Sequence, residues 1–192
     1  MKDFVYFDLE TQRSFRDVGG ATHKAKMGVS VAVTYSTKEQ KYFVYGESQM
    51  DALVTQLTQA DLVVGWNHEQ FDYPVLQGYT ILELADQTIN LDMMLDLEKD
   101  LGFRLKLDSA AKACLGGEGK SADGLDALRW WQEHQKTGSN EPLMKIAEYC
   151  CFDVKVTKAV HEFGVENQHI LYPDKATGEI VRADVNWTGP QD

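Results

Sequence analysis

The chain of 192 residues is short of cysteine, of long apolar runs and of basic charge. Each shortage removes a class of protein. The three cysteines are Cys114, Cys150 and Cys151. An odd number, two of them adjacent, supports neither a disulfide framework nor a CxxC metal knuckle; reduced, mostly buried thiols remain. The histidines at 23, 68, 134, 161 and 169 show no HxxxH or CxxH spacing, which argues against zinc. No stretch is apolar over the length needed to cross a bilayer, so no membrane association is expected. The chain opens Met1-Lys2-Asp3 and enters a strand pattern almost at once. That start does not read as a secretion signal, and the cytoplasm is the expected compartment. Thirty acidic residues against nineteen basic ones leave a net charge of -11. Tight, passive binding of nucleic acid normally needs a basic surface. An enzyme that holds a short piece of strand through metal ions escapes that objection.

The length suits one domain with a substantial core, and neither repeats nor low-complexity segments interrupt it. A first strand is expected over about 3 to 9, followed by a polar loop punctuated by Gly19, Gly20 and Gly28. "VSVAVTYS" (29 to 36) and "KYFVYG" (41 to 46) have the β-branched and aromatic content of strands, and their short polar link suggests antiparallel pairing. The period then changes. Met50, Leu53, Val54 and Leu57 sit at helical spacing, with Ser48 as the expected N-cap. "DLVVGW" (61 to 66) and "INL" (89 to 91) read as short strands, and helices are expected near 92–101, 107–115, 123–135 and 141–163. A hairpin around Asp174 and Gly178 closes the chain, with its last residues frayed. Three antiparallel strands, a helix, a further strand and then helices make a mixed α/β domain, whose site is expected at the strand ends.

The first strand ends "FVYFDLET" (4 to 11). Residues two apart on a strand face the same way, so Asp8 and Glu10 stand side by side with Leu9 turned away. Adjacent carboxylates repel unless one takes a proton or a cation joins them; oxygen ligands favour Mg²⁺ or Mn²⁺. A strand that simply emerges into solvent at Asp8 gives the same triplet. In "VVGWNHEQFDYPVL" (63 to 76) a strand ends near Trp66-Asn67 and a helix begins near Glu69, with Asp72 in its first turn. The helix dipole favours an acid there without any chemistry, and Asn67 also suits a plain turn. In "KIAEYCCFDVKVTKAV" (145 to 160), Ile146, Cys150, Val154 and Thr157 form one face, and Tyr149 and Asp153 lie one turn apart on the next. Alone, that pair also reads as a surface contact.

Taken together, the three stretches resemble, in order and spacing, the exonuclease motifs of the DEDD superfamily, whose fold is ribonuclease-H-like. "FDLET" resembles the first motif, D-x-E. "NHEQFDYPVL" resembles the second, N-x(3)-F-D-x-P-x-L, in the form found in proofreading domains of family B DNA polymerases. "YCCFD" resembles the third, Y-x(3)-D. The histidine sub-type would need His five residues before Asp153, where Glu148 stands; the tyrosine sub-type is indicated. The resemblance runs from about residue 3 to 165 and leaves out the hairpin at about 168–188.

The resemblance implies a mixed sheet, three antiparallel strands then parallel ones, flanked by helices. It implies removal of nucleoside 5'-monophosphates from 3' ends of single-stranded DNA or RNA, with two Mg²⁺ or Mn²⁺ about 4 Å apart. Asp8 would bridge both ions, Glu10 and Asp153 would complete one site, Asp72 would hold the second ion directly or through water, and the Tyr149 hydroxyl would orient and help deprotonate the attacking water. A phenol is a poor base at neutral pH, so Tyr149 serves better by positioning. The main chain from Leu9 to Thr11, with Thr11 and Asn67, would approach the terminal nucleotide; Phe71 holds the motif's aromatic position and reads mainly as core. Acting alone, assisting a helicase and belonging to a DNA repair complex all remain open. So do two other classes: a scaffold or binding module with the nuclease fold, and a ribonuclease-H-like endonuclease.

Outside the motifs, Arg104, Lys106, Lys112 and Lys120 form a possible strip for guiding a strand, as do Lys24 and Lys26 in the early loop; a solvated surface explains both as well. Leu125, Leu128 and Trp131 follow helical spacing, so core packing is expected of at least Trp131. Trp66 is also expected in the core, while Trp130 fits packing or base stacking.

Overall fold

The computed structural model describes residues 2–116 and 124–191. Five strands form one mixed sheet: β1 (Phe4–Thr11), β2 (Val29–Ser36), β3 (Lys41–Gly46), β4 (Leu62–Gly65) and β5 (Asn90–Asp92), in the order β3-β2-β1-β4-β5. β1, β2 and β3 pair antiparallel, whereas β4 and β5 add on parallel. The helices are α1 (Phe15–Val18), α2 (Met50–Gln59), α3 (Asp72–Leu76), α4 (Leu84–Gln87), α5 (Met93–Leu101), α6 (Leu107–Leu115), α7 (Gly124–Thr137) and α8 (Glu141–Asn167). Strands β6 (His169–Pro173) and β7 (Ile180–Asp184) make the C-terminal hairpin. Among the described residues, no helix is long and apolar enough to cross a membrane.

The period-two alternation of β1 divides the core between the two faces of the sheet. Phe4 and Tyr6 face one way and pack with Ile146, Cys150 and Val154 of α8. Val5, Phe7 and Leu9 face the other way and pack with Leu53 and Leu57 of α2 and Tyr73 and Val75 of α3. The sheet is therefore covered on both sides, and its parallel strands are correspondingly apolar.

Several local expectations need correction. β1 runs to Thr11 rather than ending near 9, so Glu10 lies within the strand. The polar segment after it holds α1, capped by Ser14 in reciprocal bonds with Asp17, and a short 3-10 helix over Ala21–Lys26. Ser48 does not cap α2; a 3-10 turn (Glu47–Gln49) precedes the helix, and Gln49 Oε1 accepts the Gly46 N–H at 3.0 Å. α3 starts at Asp72 itself, not near Glu69. Towards the C-terminus the described chain is docked as far as Pro190 rather than frayed. Trp187 stacks on His161 and donates from Nε1 to Asp96 Oδ2 at 2.8 Å, and the Lys2 N–H donates to the Pro190 carbonyl.

Candidate active site

β1 carries two carboxylates to the place where its neighbour leaves it. β4 pairs with β1 only from Phe4 to Tyr6 and ends at Gly65, while β1 continues for five more residues to Thr11. On the other side β2 stays paired, Asp8 opposite Val33 and Glu10 opposite Val31. The register then skips Ser30, whose hydroxyl donates to the Glu10 carbonyl at 3.0 Å. Asp8 and Glu10 continue the face of Phe4 and Tyr6, which is the face that α8 covers.

α8 lays Ile146, Cys150, Val154 and Thr157 into the core, which places Asp153 at the sheet. Asp8, Glu10 and Asp153 each offer a carboxylate oxygen within 4.8 Å of the others. The Cys150 thiol donates to the Asp8 carbonyl at 3.3 Å and to Asp8 Oδ2 at 3.4 Å. Burial, then the Asp8 charge, holds this thiol well above its ordinary pKa, so it stays a donor. Tyr149 lies one turn before Asp153. Burial, then the charges of Asp153, Glu10 and Asp8, pushes its phenol far above its usual range.

Asp72 reaches the same place from α3. Its Oδ1 accepts the Leu9 N–H at 3.1 Å, taking the β1 edge donor that β4 has left. The carboxyl is 3% exposed. Burial, then the neighbouring Asp8, raises its pKa well above the carboxylate range, and the Leu9 bond offsets part of this. Asp72 is not in the three-oxygen group, yet it feels the charges of Asp8 and Glu10. Four acidic groups so placed do not all ionise comfortably without a positive partner.

Of these groups, Asp8, Glu10 and Asp72 open onto a cleft of about 320 Å³. Asp8 to Thr11 line one wall and Asn67, Phe71 and Asp72 another, with Phe15, Leu125 and Leu128 also lining it. Asn67 has a left-handed backbone (φ 69°), and its Oδ1 is buried without a hydrogen-bond partner among the described residues. The Thr11 hydroxyl donates to the Arg13 carbonyl at 3.1 Å. Phe71 packs on the core beneath and meets Phe15 edge-on at 5.8 Å. Leu125, though it shares the helical spacing of Trp131, is 65% exposed; Trp66, Trp130 and Trp131 are all partly buried against the core. Arg104 pairs with Glu98 and Lys112 with Asp108, so much of the suspected basic strip is neutralised where it stands; Lys120 lies outside the described residues. A larger depression of about 460 Å³, lined by Lys24, Tyr73 and Gln77, holds none of the clustered carboxylates.

Residues 5–163 match the family model of the RNase_H superfamily. The chain belongs to this superfamily. Among solved structures it is similar to the family B DNA polymerase of the hyperthermophilic archaeon Pyrobaculum calidifontis, with a TM-score of 0.59 and 17% identity. That match covers 85% of this chain and 24% of the polymerase, so the chain spans about a quarter of that protein. At this identity the likeness is one of fold. No curated protein matches the sequence. An RNase H-like fold with a carboxylate cluster at its strand ends is consistent with a nuclease, and RNase H-like nucleases usually use divalent metals.

Within this RNase H-like frame, three contacts had no clear signal in the sequence. "YCCFD" reads Cys150 as a buried thiol, but not as a donor to Asp8. Trp130 meets the Tyr149 ring edge-on at 6.5 Å, and the sequence leaves its role open. Asp92, at the end of β5, accepts the Asn67 N–H at 2.8 Å; its one sequence signal is a helix-capping position before α5.

Proposed function

We propose that this chain is a metal-dependent 3'-5' exonuclease of the DEDD superfamily, tyrosine sub-type, which removes nucleoside 5'-monophosphates from single-stranded DNA or RNA. The observation that carries the reading is the convergence of Asp8 and Glu10 from β1 with Asp153 from α8, within 4.8 Å. An all-oxygen donor set suits Mg²⁺ or Mn²⁺. The raised pKa of Asp72, buried beside Asp8, marks a site short of positive charge. Asp8, Glu10 and Asp153 would hold one ion, and Asp72, with Asp8 between, would serve the second. Bound there, two such ions supply the acidity that activates water and the charge that steadies the leaving oxygen.

The chain's own groups do the rest. Tyr149 stays protonated at neutral pH, so it orients the attacking water and does not take its proton. Cys150, donating to Asp8, holds that carboxylate in one orientation. Thr11 and the main chain beside it, with Asn67, face the terminal nucleotide. Phe71 and Phe15 wall the cleft, and base faces can lie against them. The net charge of -11 fits this reading, because the ions, rather than a basic surface, attract the scissile phosphate.

The test is digestion of matched DNA and RNA oligonucleotides, blocked at one end or the other, in Mg²⁺ or in EDTA, beside circular single-stranded DNA. The expected result is stepwise shortening of strands with a free 3' end, release of 5'-mononucleotides, intact circles and no reaction in EDTA. Cut circles would make the chain an endonuclease. No cutting, with weak and featureless Mn²⁺ binding by calorimetry, would make it a binding or scaffold module.

A further inference from the structure

Asp92 is a buried carboxylate that the proposed chemistry does not use. It is 3% exposed, at the end of β5. Its Oδ1 accepts the N–H of Asn67 at 2.8 Å and of Leu95 at 3.2 Å. Its Oδ2 accepts the Glu69 N–H at 3.0 Å. The Leu95 bond is an ordinary helix cap for α5. The other two reach back into the loop between β4 and α3, the loop that lines the carboxylate cleft with Asn67.

That loop is held from below at several points. β4 ends in Gly65, where a Cβ would come within 2.6 Å of His68 Nδ1, so the glycine makes room for the buried His68 ring. His68 Nε2 meets Asn90 Oδ1 at 3.2 Å, and Nδ1 lies 3.6 Å from Asp92 Oδ2. The Tyr73 hydroxyl donates to the same Asn90 oxygen at 2.7 Å. With His68 pinned, Asn67 takes a left-handed φ of 69°, a conformation asparagine accepts more readily than most residues. Its N–H then points down to Asp92, and its side chain stays with the cleft. Asn67 Oδ1 is buried there with no hydrogen-bond partner among the described residues. A buried acceptor without a partner is costly, so its natural complement is a donor on something that enters the cleft.

The geometry points to Asp92 as the positioning residue that sets Asn67 for contact with the terminal nucleotide. This rests on the nuclease reading of the cleft. Asp92 touches no substrate; it acts by fixing the backbone from which the Asn67 amide projects. An isosteric amide cannot replace it. Asp92→Asn must turn an NH₂ donor toward the Glu69 N–H in one orientation, or toward the N–H groups of Asn67 and Leu95 in the other.

The test is binding of a 5'-fluorescein single-stranded oligonucleotide with a free 3' end, in EDTA, followed by anisotropy. Asp92→Asn and Asn67→Ala should each weaken binding about tenfold, the loss expected for one misplaced hydrogen bond. The double variant should be no weaker than either single one, because both act through one amide. Tyr73→Phe is the structural control: it removes a hydroxyl from the same underlying network, so its melting temperature should fall while its affinity holds. With Mg²⁺, Asp92→Asn should raise KM more than it lowers kcat. Wild-type affinity in Asp92→Asn, losses that multiply in the double variant, or an equal loss in Tyr73→Phe would each overturn the inference. Failure of the nuclease reading looks different: wild-type protein binds the strand without shortening it, and the Asp92 comparison is still read in binding. A wild-type protein that does not bind the oligonucleotide overturns both.

Discussion

Removing one negative charge from the carboxylate cluster should make the metal-free protein more stable and the metal-loaded one comparatively less so. The perturbation is Asp153→Asn, which keeps the shape of the side chain. Oxygens of Asp8, Glu10 and Asp153 lie within 4.8 Å; at an effective dielectric of about 20 each ionised pair then repels by ~3.5 kcal/mol. Asp153 belongs to two of the three pairs. Asp8 and Glu10 are only partly buried, so solvent and proton uptake remove much of this, and a net gain of about 1–3 kcal/mol is expected in EDTA. For a domain of this size that is a rise of ~3–10 °C in melting temperature. Mn²⁺ at a hundred times its dissociation constant should stabilise the wild type by about 2.7 kcal/mol and the variant by much less. The assay is thermal melting by circular dichroism at pH 7.5, for both proteins, in EDTA and across a Mn²⁺ series. The expected result is a crossing: the variant melts higher in EDTA, and the wild type gains more with Mn²⁺. A variant that melts lower in EDTA and shows an unchanged Mn²⁺ response would refute the claim that these carboxylates share an ion.

Four further outcomes follow from named contacts. The Tyr149 phenol is held far above its usual pKa, so Tyr149→Phe should lower kcat by about 10–100-fold and leave the shape of the pH-rate profile unchanged from pH 6 to 10; a lost inflection in that window would restore it as a base. Asp8→Ala or Asp153→Ala should cost more than Tyr149→Phe in the same labelled-oligonucleotide assay, because either removes a ligand. Buried His161, bonded to the Tyr6 hydroxyl at 2.9 Å, has its pKa lowered to about 4 by burial and then by Lys158. The unfolded chain therefore takes up the proton first. The stability this neutral ring contributes is full above about pH 6.5, declines as pH falls and is lost below about 4, a change of up to ~3 kcal/mol. Urea denaturation of the wild type and of His161→Asn across that range should diverge accordingly, and parallel curves would count against it. A Cβ on Gly164 would lie 2.6 Å from Trp187 Cζ3, so Gly164→Ala should destabilise the protein by about 1–3 kcal/mol and expose the C-terminal tail to limited proteolysis; an unchanged melting temperature would mean the tail is not seated there.

Much of this fold is legible along the chain because its elements announce themselves by period. β2 and β3 fall on the residues their β-branched and aromatic content indicates, and α6 on its helical spacing. Leu53 and Leu57 of α2 are fully buried, as their three-to-four spacing requires. Boundaries were harder. Ser48 is a good N-cap by type, but a 3-10 turn takes the bond through Gln49 instead. Leu125 has the spacing of a core residue, yet its turn of α7 overhangs the cleft rather than the sheet. Trp187 ends the segment that reads as a hairpin, with no periodic signal to mark it as core, and only the surface offered by Gly164 and His161 gives its ring a seat.

The sequence by itself determined the class of fold, the side of β1 on which Asp8 and Glu10 stand, and the residue types on offer, because strand and helix periods are local properties of the backbone. Only the tertiary structure decided that Asp153 meets that pair, that Asp72 answers the Leu9 amide, that Cys150 donates to Asp8 and that Asp92 holds Asn67 from beneath. Those contacts join residues 25 to 145 positions apart. They exist because β4 leaves β1 after Tyr6 while α8 crosses the same face, and no local pattern encodes where two distant segments cross.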